Sequence, residues 1–332
     1  MLRDILPKRM LASNLMIDRS NAGRGEEHIC RGWIWDIKKY ALHDGPGIRT
    51  TIFFKGCPLR CLWCCNPESQ LSDPELVWLK ERCLACGKCI AACPRGAVLI
   101  DEFGWRQVDR NACDYCGLCA VGCPGEAMNL TGRLMDVDEV LGEVAQDSVF
   151  HDRSGGGLTL SGGEPLAQAQ FAMELLRRYK QGEFGATTVI ETSGAVEWEA
   201  IALVLPHTDL FLYDIKHMDS ESHRGFTGVG NERILENARR LAEAGGRLVI
   251  RIPLIPGCND TEENVRQVAE FVRQLPGVEQ VDILPYHRLG EPKYPRLGRK
   301  YALTRTDRLS EERTGYFRRL LESYGLRVGV GG

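Results

Sequence analysis

Apolar and polar positions alternate along this chain in two registers. Short runs rich in β-branched and aromatic residues, at 50–54, 157–161, 187–192, 210–216, 247–253 and 280–285, predict six strands. Apolar residues at helical spacing predict helices over 136–146, 166–180, 197–205, 232–244, 262–275 and 310–324. Strands alternating with crossover helices build a parallel sheet. Six such units are too few for a closed eight-fold barrel, so the expected fold is α/β with an open, partial (β/α)6 barrel. Regular structure is expected to begin near 33–40, and Asp44-Gly45-Pro46-Gly47 reads as a turn cluster. Residues 1–30, mixed in charge and without periodicity, read as a mobile leader.

Residues 79–130 break this pattern. They are rich in Cys and Gly and internally repeated. Cys83-x2-Cys86-x2-Cys89-x3-Cys93-Pro94 recurs as Cys113-x2-Cys116-x2-Cys119-x3-Cys123-Pro124, offset by 30 residues throughout. The expected organisation is a barrel made of 31–78 and 131–332, with 79–130 as an inserted miniature domain.

Composition narrows the class. Twelve of the 14 cysteines fall between Cys57 and Cys123, and the first 25 residues lack an apolar secretory core. Clustered thiols in a reducing cytoplasm, the expected location, read as metal ligands rather than disulfides. With 42 Lys+Arg against 45 Asp+Glu, the chain lacks the basic excess of a general nucleic-acid binder. Its apolar runs are far shorter than the ~20 residues that span a bilayer, so no membrane partner is expected.

The repeated C-x2-C-x2-C-x3-C-P spacing wraps a [4Fe–4S] cluster with three thiolates, and the fourth ligates the neighbouring cluster. Cys83, Cys86, Cys89 and Cys123 are then expected on one cluster, and Cys113, Cys116, Cys119 and Cys93 on the other. Two structural zinc sites are the alternative. Cys57-x3-Cys61-x2-Cys64 follows the first strand on a Gly- and Pro-bearing loop. Three thiolates on a four-iron cluster leave one iron open to a small molecule, as catalytic metal sites keep an open position. Alternatively Cys65, Cys30 or Cys258 completes an ordinary cluster, although adjacent Cys64-Cys65 cannot easily reach two corners of one cubane.

Gly56-Cys57-Pro58-Leu59-Arg60-Cys61-Leu62-Trp63-Cys64, with Asn66-Pro67-Glu68 and the preceding Asp44-Gly45-Pro46-Gly47-Ile48-Arg49, resembles the radical S-adenosylmethionine (SAM) enzymes. Within them it is most similar to the glycyl-radical-enzyme activating enzymes, the group of pyruvate formate-lyase activating enzyme. The insert resembles that of the group's two-cluster members. The resemblance implies three [4Fe–4S] clusters: one on Cys57, Cys61 and Cys64 that binds SAM, and two auxiliary ones on the insert cysteines. It implies that Gly162, Gly163 and Glu164, in Ser161-Gly162-Gly163-Glu164-Pro165, serve the methionine amino group. Thr192, Asp214, Ile215 and His287 are further implied SAM contacts, as is Lys216, which is also implied in catalysis. The family often carries Asp where Glu191 stands. Trp63 is implied beside the adenine, and Cys64 and Cys65 are implied in cofactor binding, Cys65 standing where many relatives have His. Several of these residues end strands, where parallel sheets place ligands.

The implied activity is reductive cleavage of SAM and abstraction of hydrogen from a backbone glycine of a partner. The implied partners are a glycyl radical enzyme, as protein substrate, and a flavodoxin- or ferredoxin-type reductant. Among two-cluster activators, Cys64-Cys65-Asn66-Pro67-Glu68-Ser69-Gln70 is most similar to those of choline trimethylamine-lyase. Activators of glycerol dehydratase, isethionate sulfite-lyase, 4-hydroxyphenylacetate decarboxylase or benzylsuccinate synthase also fit. Two other classes stay open: a three-cluster electron carrier, and a radical enzyme acting on a small molecule or peptide. Residues 285–308 hold seven Lys/Arg against two Asp/Glu, a basic loop that is either solvated or a dock for an acidic partner.

Overall fold

The computed structural model describes residues 30–182 and 186–331. The leader expected over 1–30 therefore lies outside the described residues, except for Cys30. Strand β1 (Arg31–Ala41) runs antiparallel to β2 (Arg49–Phe54). The middle of the chain supplies β3 (Glu75–Trp78), β4 (Val98–Ile100), β5 (Arg106–Val108), β6 (Met128–Thr131) and β7 (Arg133–Asp136). Then come β8 (Gly157–Gly162), β9 (Thr187–Thr192), β10 (Leu210–Asp214), β11 (Leu248–Leu254), β12 (Val278–Pro285) and β13 (Val328–Val330). Nine of them form one open sheet in the order β13-β12-β11-β10-β9-β8-β2-β1-β7. Neighbours from β2 to β13 are parallel, and β1 and β7 extend that edge antiparallel.

All six expected strands are present. In the large sheet β7 and β13 were not expected, and each has a physical reason; outside it, neither were β3, β4, β5 and β6. Val328-Gly329-Val330 is too short to show alternation, and β7 directly follows the cysteine-rich interruption. Helices were also missed at Ser148–Ser154 and Ser220–Thr227. Both are polar and too short for an apolar stripe to repeat. The helix expected from 136 begins at Val137, because Asp136 is its N-cap: its carboxylate accepts from the Glu139 N–H while Glu139 reciprocates.

Side chains alternate across the sheet. One face carries Ile52, Leu158, Leu160, Ile190, Phe211, Ile250 and Ile252, packed against helical Phe171, Leu175, Ile201, Ile234, Leu241 and Val265. Burying each such side chain contributes roughly 1.5–3 kcal/mol. The other, concave face has a small apolar belt of Val189, Leu210, Leu212 and Val249. Polar groups lie above and below it. At the lower end fully buried Arg49 places all five N–H donors, on Thr159 and Thr187 hydroxyls and on the Pro46, Leu158 and Thr187 carbonyls.

The Asp44-Gly45-Pro46-Gly47 cluster is more than a surface turn. The Thr51 hydroxyl donates to the Asp44 carboxylate at 2.7 Å, the Thr159 hydroxyl to its carbonyl at 2.8 Å, and Arg251 to the His43 carbonyl at 2.9 Å. In the sheet β11 is four strands from β2, about 19 Å if the sheet were flat. The Arg251 contact forms because the sheet curls and the 42–48 loop crosses its concave face. Gly45 has φ +122°, and a Cβ there would lie 3.1 Å from Val189 and 3.2 Å from Arg49.

The β3–β6 ribbon and the β4–β5 hairpin lie outside the large sheet. The sequence repeat is also a backbone repeat. Helices Lys88–Ala91 and Leu118–Val121 correspond, Ala85 and Tyr115 have φ 53° and 56°, and Gly87 and Gly117 have φ 73° and 77°. Their core is small: Leu76, Trp78, Val98, Ala127 and Met128 around Cys89 and Cys119. Among the described residues no helix is long and apolar enough to cross a membrane.

Below β8, buried His151 lies between the Thr50 hydroxyl at 3.0 Å and the Tyr179 hydroxyl at 3.3 Å. Burial pushes its pKa down, with Asp147 opposing. The unfolded chain therefore binds more protons in the window between this lowered value and about 6.5, and stability rises with pH across that window. The expected result is a urea midpoint that falls as the pH drops below about 6.5, with a shallower slope in His151→Gln. An identical slope in the variant would remove His151 as the cause.

Candidate active site

The C-terminal ends of the parallel strands converge on the cysteine loop. Backbone bonds fix that loop on both sides. The Gly56 N–H donates to the Ser69 carbonyl at 2.8 Å and the Cys57 N–H to Gln70 at 3.2 Å. The Arg60 and Leu62 N–H groups donate to the Thr227 and Phe226 carbonyls at 2.7 and 3.0 Å. The loop after β8 locks onto the same place: the Gly163 N–H donates to the Phe54 carbonyl at 2.9 Å, and the Glu164 N–H to Gly56 at 2.8 Å. A Cβ on Gly163 would lie 2.3 Å from the Gly56 oxygen, so the approach requires glycine.

Cys57, Cys61 and Cys64 face one another and Lys216. Burial is the main cause that pushes all three thiols up, Cys61 to about 12, with neighbouring thiols adding to the rise for Cys57 and Cys61. Thiolates here are costly unless a cation offsets them, which the irons of a cluster do. Lys216 donates to Asp214 at 2.7 Å. Burial pushes its pKa down, but Asp214, Cys61 and Cys57 outweigh that and hold it up. Asp214 Oδ1 is buried and without a hydrogen-bond partner. A buried cation, an orphaned carboxylate oxygen and three converging thiols fit a [4Fe–4S] cluster with a zwitterionic, hydroxyl-bearing ligand such as SAM.

Lys216 is held through its backbone. Buried Asn259 donates to the Lys216 carbonyl at 2.7 Å and accepts from the Ile255 N–H at 2.7 Å. Asn231 donates to His217 and Met218, and Asn264 accepts from the Met218 N–H. These three asparagines were not singled out in the sequence, nor was Arg251. Arg251 pairs with Glu191 at 2.7 Å, and Ser161 donates to the other Glu191 oxygen at 2.5 Å. Burial pushes the Glu191 carboxyl up, with Arg251 opposing. The only signal for Arg251 was a polar residue at an inward position of an otherwise apolar strand, and the asparagines, in a loop and at or within helices, carried none.

Other expected contacts take different places. Glu164 is fully buried, and both its oxygens are engaged within the protein: by the Thr192 hydroxyl at 2.7 Å, the Ser193 N–H at 2.9 Å and hydroxyl at 2.7 Å, and the Leu166 N–H at 3.3 Å. It ties the ends of β8 and β9 together, and occupies Thr192 in doing so. The Ile215 side chain lies in the helix-facing core, leaving its backbone toward the site. Trp63 sits in an aromatic cluster with Tyr286, Tyr294 and Tyr301. His287 is at the surface, its Nε2 4.0 Å from the Cys65 sulfur. Cys30 packs against the main core, and Cys258 against the aromatic cluster.

In the insert burial is the main cause that raises the Cys113 and Cys119 thiols, and Cys93 and Cys116 both add to the rise, so these four thiols lie close to one another. Cys93 and Cys123 occupy matching nests. The Ala97 and Ala127 N–H groups donate to their sulfurs at 3.2 Å each. Burial raises both thiols, but the N–H donors outweigh it and bring them down.

The basic stretch is largely consumed internally. Arg288 pairs with Glu291, Lys293 with Glu68, Arg296 with Glu81 and Arg299 with Glu75. Lys300, Arg305 and Arg308 remain exposed.

Residues 110–272 match the radical SAM superfamily, and residues 76–99 a 4Fe-4S binding domain. The isethionate sulfite-lyase activating enzyme of Desulfovibrio desulfuricans is 44% identical over 306 residues, 90% of this chain and 97% of that protein. The (2S)-3-sulfopropanediol sulfolyase activating enzyme of Bilophila wadsworthia is 45% identical over 277 residues, 82% of this chain and 90% of that protein. The choline trimethylamine-lyase activating enzyme of Oleidesulfovibrio alaskensis is 39% identical over 302 residues, 90% of this chain and 97% of that protein. With relatives this similar over nearly their whole length, and with a cysteine loop set at the mouth of a parallel sheet, the chain belongs to the radical SAM activating enzymes of glycyl radical enzymes.

Proposed function

We propose that Cys57, Cys61 and Cys64 hold the SAM-binding [4Fe–4S] cluster, and that the curled sheet is the partial barrel that receives the partner's glycine loop. The observation that carries this reading is the convergence of three buried thiols on the Lys216–Asp214 pair with its orphaned oxygen. When bound, the cluster supplies the electron for reductive cleavage of SAM, and hence the species that takes the glycine hydrogen. Lys216 binds the methionine carboxylate. Asp214 orients Lys216 and offers its free oxygen to a ligand hydroxyl. Gly162 and Gly163 let backbone approach the ligand closely, while Glu164 holds them there by tying β8 to β9. The aromatic cluster around Trp63 excludes water from one side of the loop.

Residues 79–130 are read as a ferredoxin-like insert with two further clusters. The grouping of Cys93 with Cys113, Cys116 and Cys119 supports the crossed ligand assignment, with Cys83, Cys86, Cys89 and Cys123 on the other cluster. A flavodoxin- or ferredoxin-type reductant then feeds three clusters in all. For the partner, the two sulfonate-lyase activators above share 44% and 45% identity with this chain, against 39% for the choline lyase activator. This favours a sulfonate-cleaving glycyl radical enzyme over choline trimethylamine-lyase.

Lys216→Ala tests the site. It is expected to weaken SAM binding about ten-fold or more, since a charge-assisted hydrogen bond contributes roughly 1.5–3 kcal/mol. Iron content should stay at about twelve atoms per chain. Unchanged affinity, measured anaerobically by calorimetry, would move the carboxylate site elsewhere. Incubation with isethionate, sulfopropanediol and choline lyases side by side decides the partner by which one gains a glycyl radical.

A further inference from the structure

Glu75 is a fully buried carboxylate that the chemistry above does not use. It opens β3, where the chain leaves the large sheet for the cysteine-rich segment. Three cations converge on it. Arg299 at 2.5 Å and Arg110 at 3.1 Å share one oxygen, and Lys55 stands 3.6 Å from the other. Each cation also holds a backbone carbonyl. Lys55 donates to Glu68 at 2.7 Å, Arg299 to Pro67 at 2.7 Å, and Arg110 to Leu297 at 2.5 Å. Such a node gives little net stability over apolar packing, but losing one partner strands the rest. It therefore fixes geometry strongly.

What it fixes is the downstream half of the cysteine loop. The 290–299 segment lies on Cys64. A Cβ on Gly290 would be 2.7 Å from the Cys64 carbonyl oxygen, the Tyr294 hydroxyl donates to that same oxygen at 3.2 Å, and Lys293 donates to Asn66 at 3.1 Å. Arg110, at the other end of the node, precedes Cys113 by three residues. Contacts thus run from the Cys113 loop through Arg110, Glu75 and Arg299, whose N–H donates to the Tyr294 carbonyl at 2.9 Å, and through Tyr294 to Cys64.

We infer that Glu75 is a positioning residue that seats 290–299 on Cys64 and, through Arg110, makes that seating depend on the Cys113 loop of the insert. The inference rests on the reading of Cys57, Cys61 and Cys64 as cluster ligands. It gives the insert a mechanical role in SAM binding in addition to any electron transfer.

The test is Arg110→Met in the fully loaded protein, with Glu75→Gln as the stronger variant and Arg110→Lys as the conservative one. Arg110 is partly exposed, so its replacement decides the matter even where Glu75→Gln fails to fold. With iron content unchanged, amide hydrogen exchange in 290–299 is expected to accelerate about ten-fold. The SAM dissociation constant is expected to rise about five-fold, with Arg110→Lys recovering most of both. Wild-type exchange in 290–299, or wild-type SAM affinity, in Arg110→Met overturns the inference. Failure of the cluster assignment is read separately: Cys61→Ala would then keep its full iron, while the exchange effect of Arg110→Met would persist.

Discussion

Cys61→Ala protein, reconstituted anaerobically, is expected to carry about four fewer iron atoms than the wild type and to cleave no SAM. Cys61 is the middle thiol of the loop, and Lys216 and Asp214 both act on it. Its removal leaves two thiolates where a four-iron cluster with one open iron needs three. Cys86→Ala, outside the Cys113 loop, is the control: Cys86 is exposed, and the variant should still bind SAM. Iron analysis with SAM-cleavage assays under dithionite separates the outcomes. Wild-type iron and cleavage in Cys61→Ala would mean that this loop is not the site.

The cysteine loop was legible because chemistry fixes both residue type and spacing there. The six parallel strands were legible because burial on both faces makes them nearly continuous apolar runs. The residues that aim the site were not. Arg251 and Asn259 act across strands and loops far apart in sequence, and an inward arginine in one strand looks like any polar residue until its partner on another strand is placed. Glu164 shows the converse. Its motif drew it to the ligand, yet Thr192 and Ser193 occupy both of its oxygens. The basic stretch shows the same limit, since net charge in sequence does not reveal that Glu68, Glu75 and Glu81 neutralise Lys293, Arg299 and Arg296.

That neutralisation shapes the expected behaviour toward the partner. A glycyl doublet in anaerobic electron paramagnetic resonance is expected only when this protein, SAM, a reductant and the lyase are all present. It should vanish entirely when the lyase's radical glycine is replaced by alanine. Glycine has no Cβ, so its α-carbon can enter a crowded mouth that any side chain would block. Here the mouth is crowded, with Cys65 and His287 in contact and Leu289 68% exposed beside them. Arg308 acts on His287 at this rim, and with Lys300 and Arg305 it makes up the three exposed cations of the segment that form no ion pair among the described residues. Three exposed charges steer an acidic surface only over about a Debye length, ~8 Å at physiological salt. Raising salt from 0.05 to 0.5 M is therefore expected to slow activation several-fold while leaving SAM cleavage without the lyase nearly unchanged. Reversing the three charges together should reproduce the high-salt rate at low salt. A doublet that survives the glycine replacement would mean that hydrogen is taken from another position. Equal salt sensitivity of activation and of SAM cleavage would remove the basic rim from the interface.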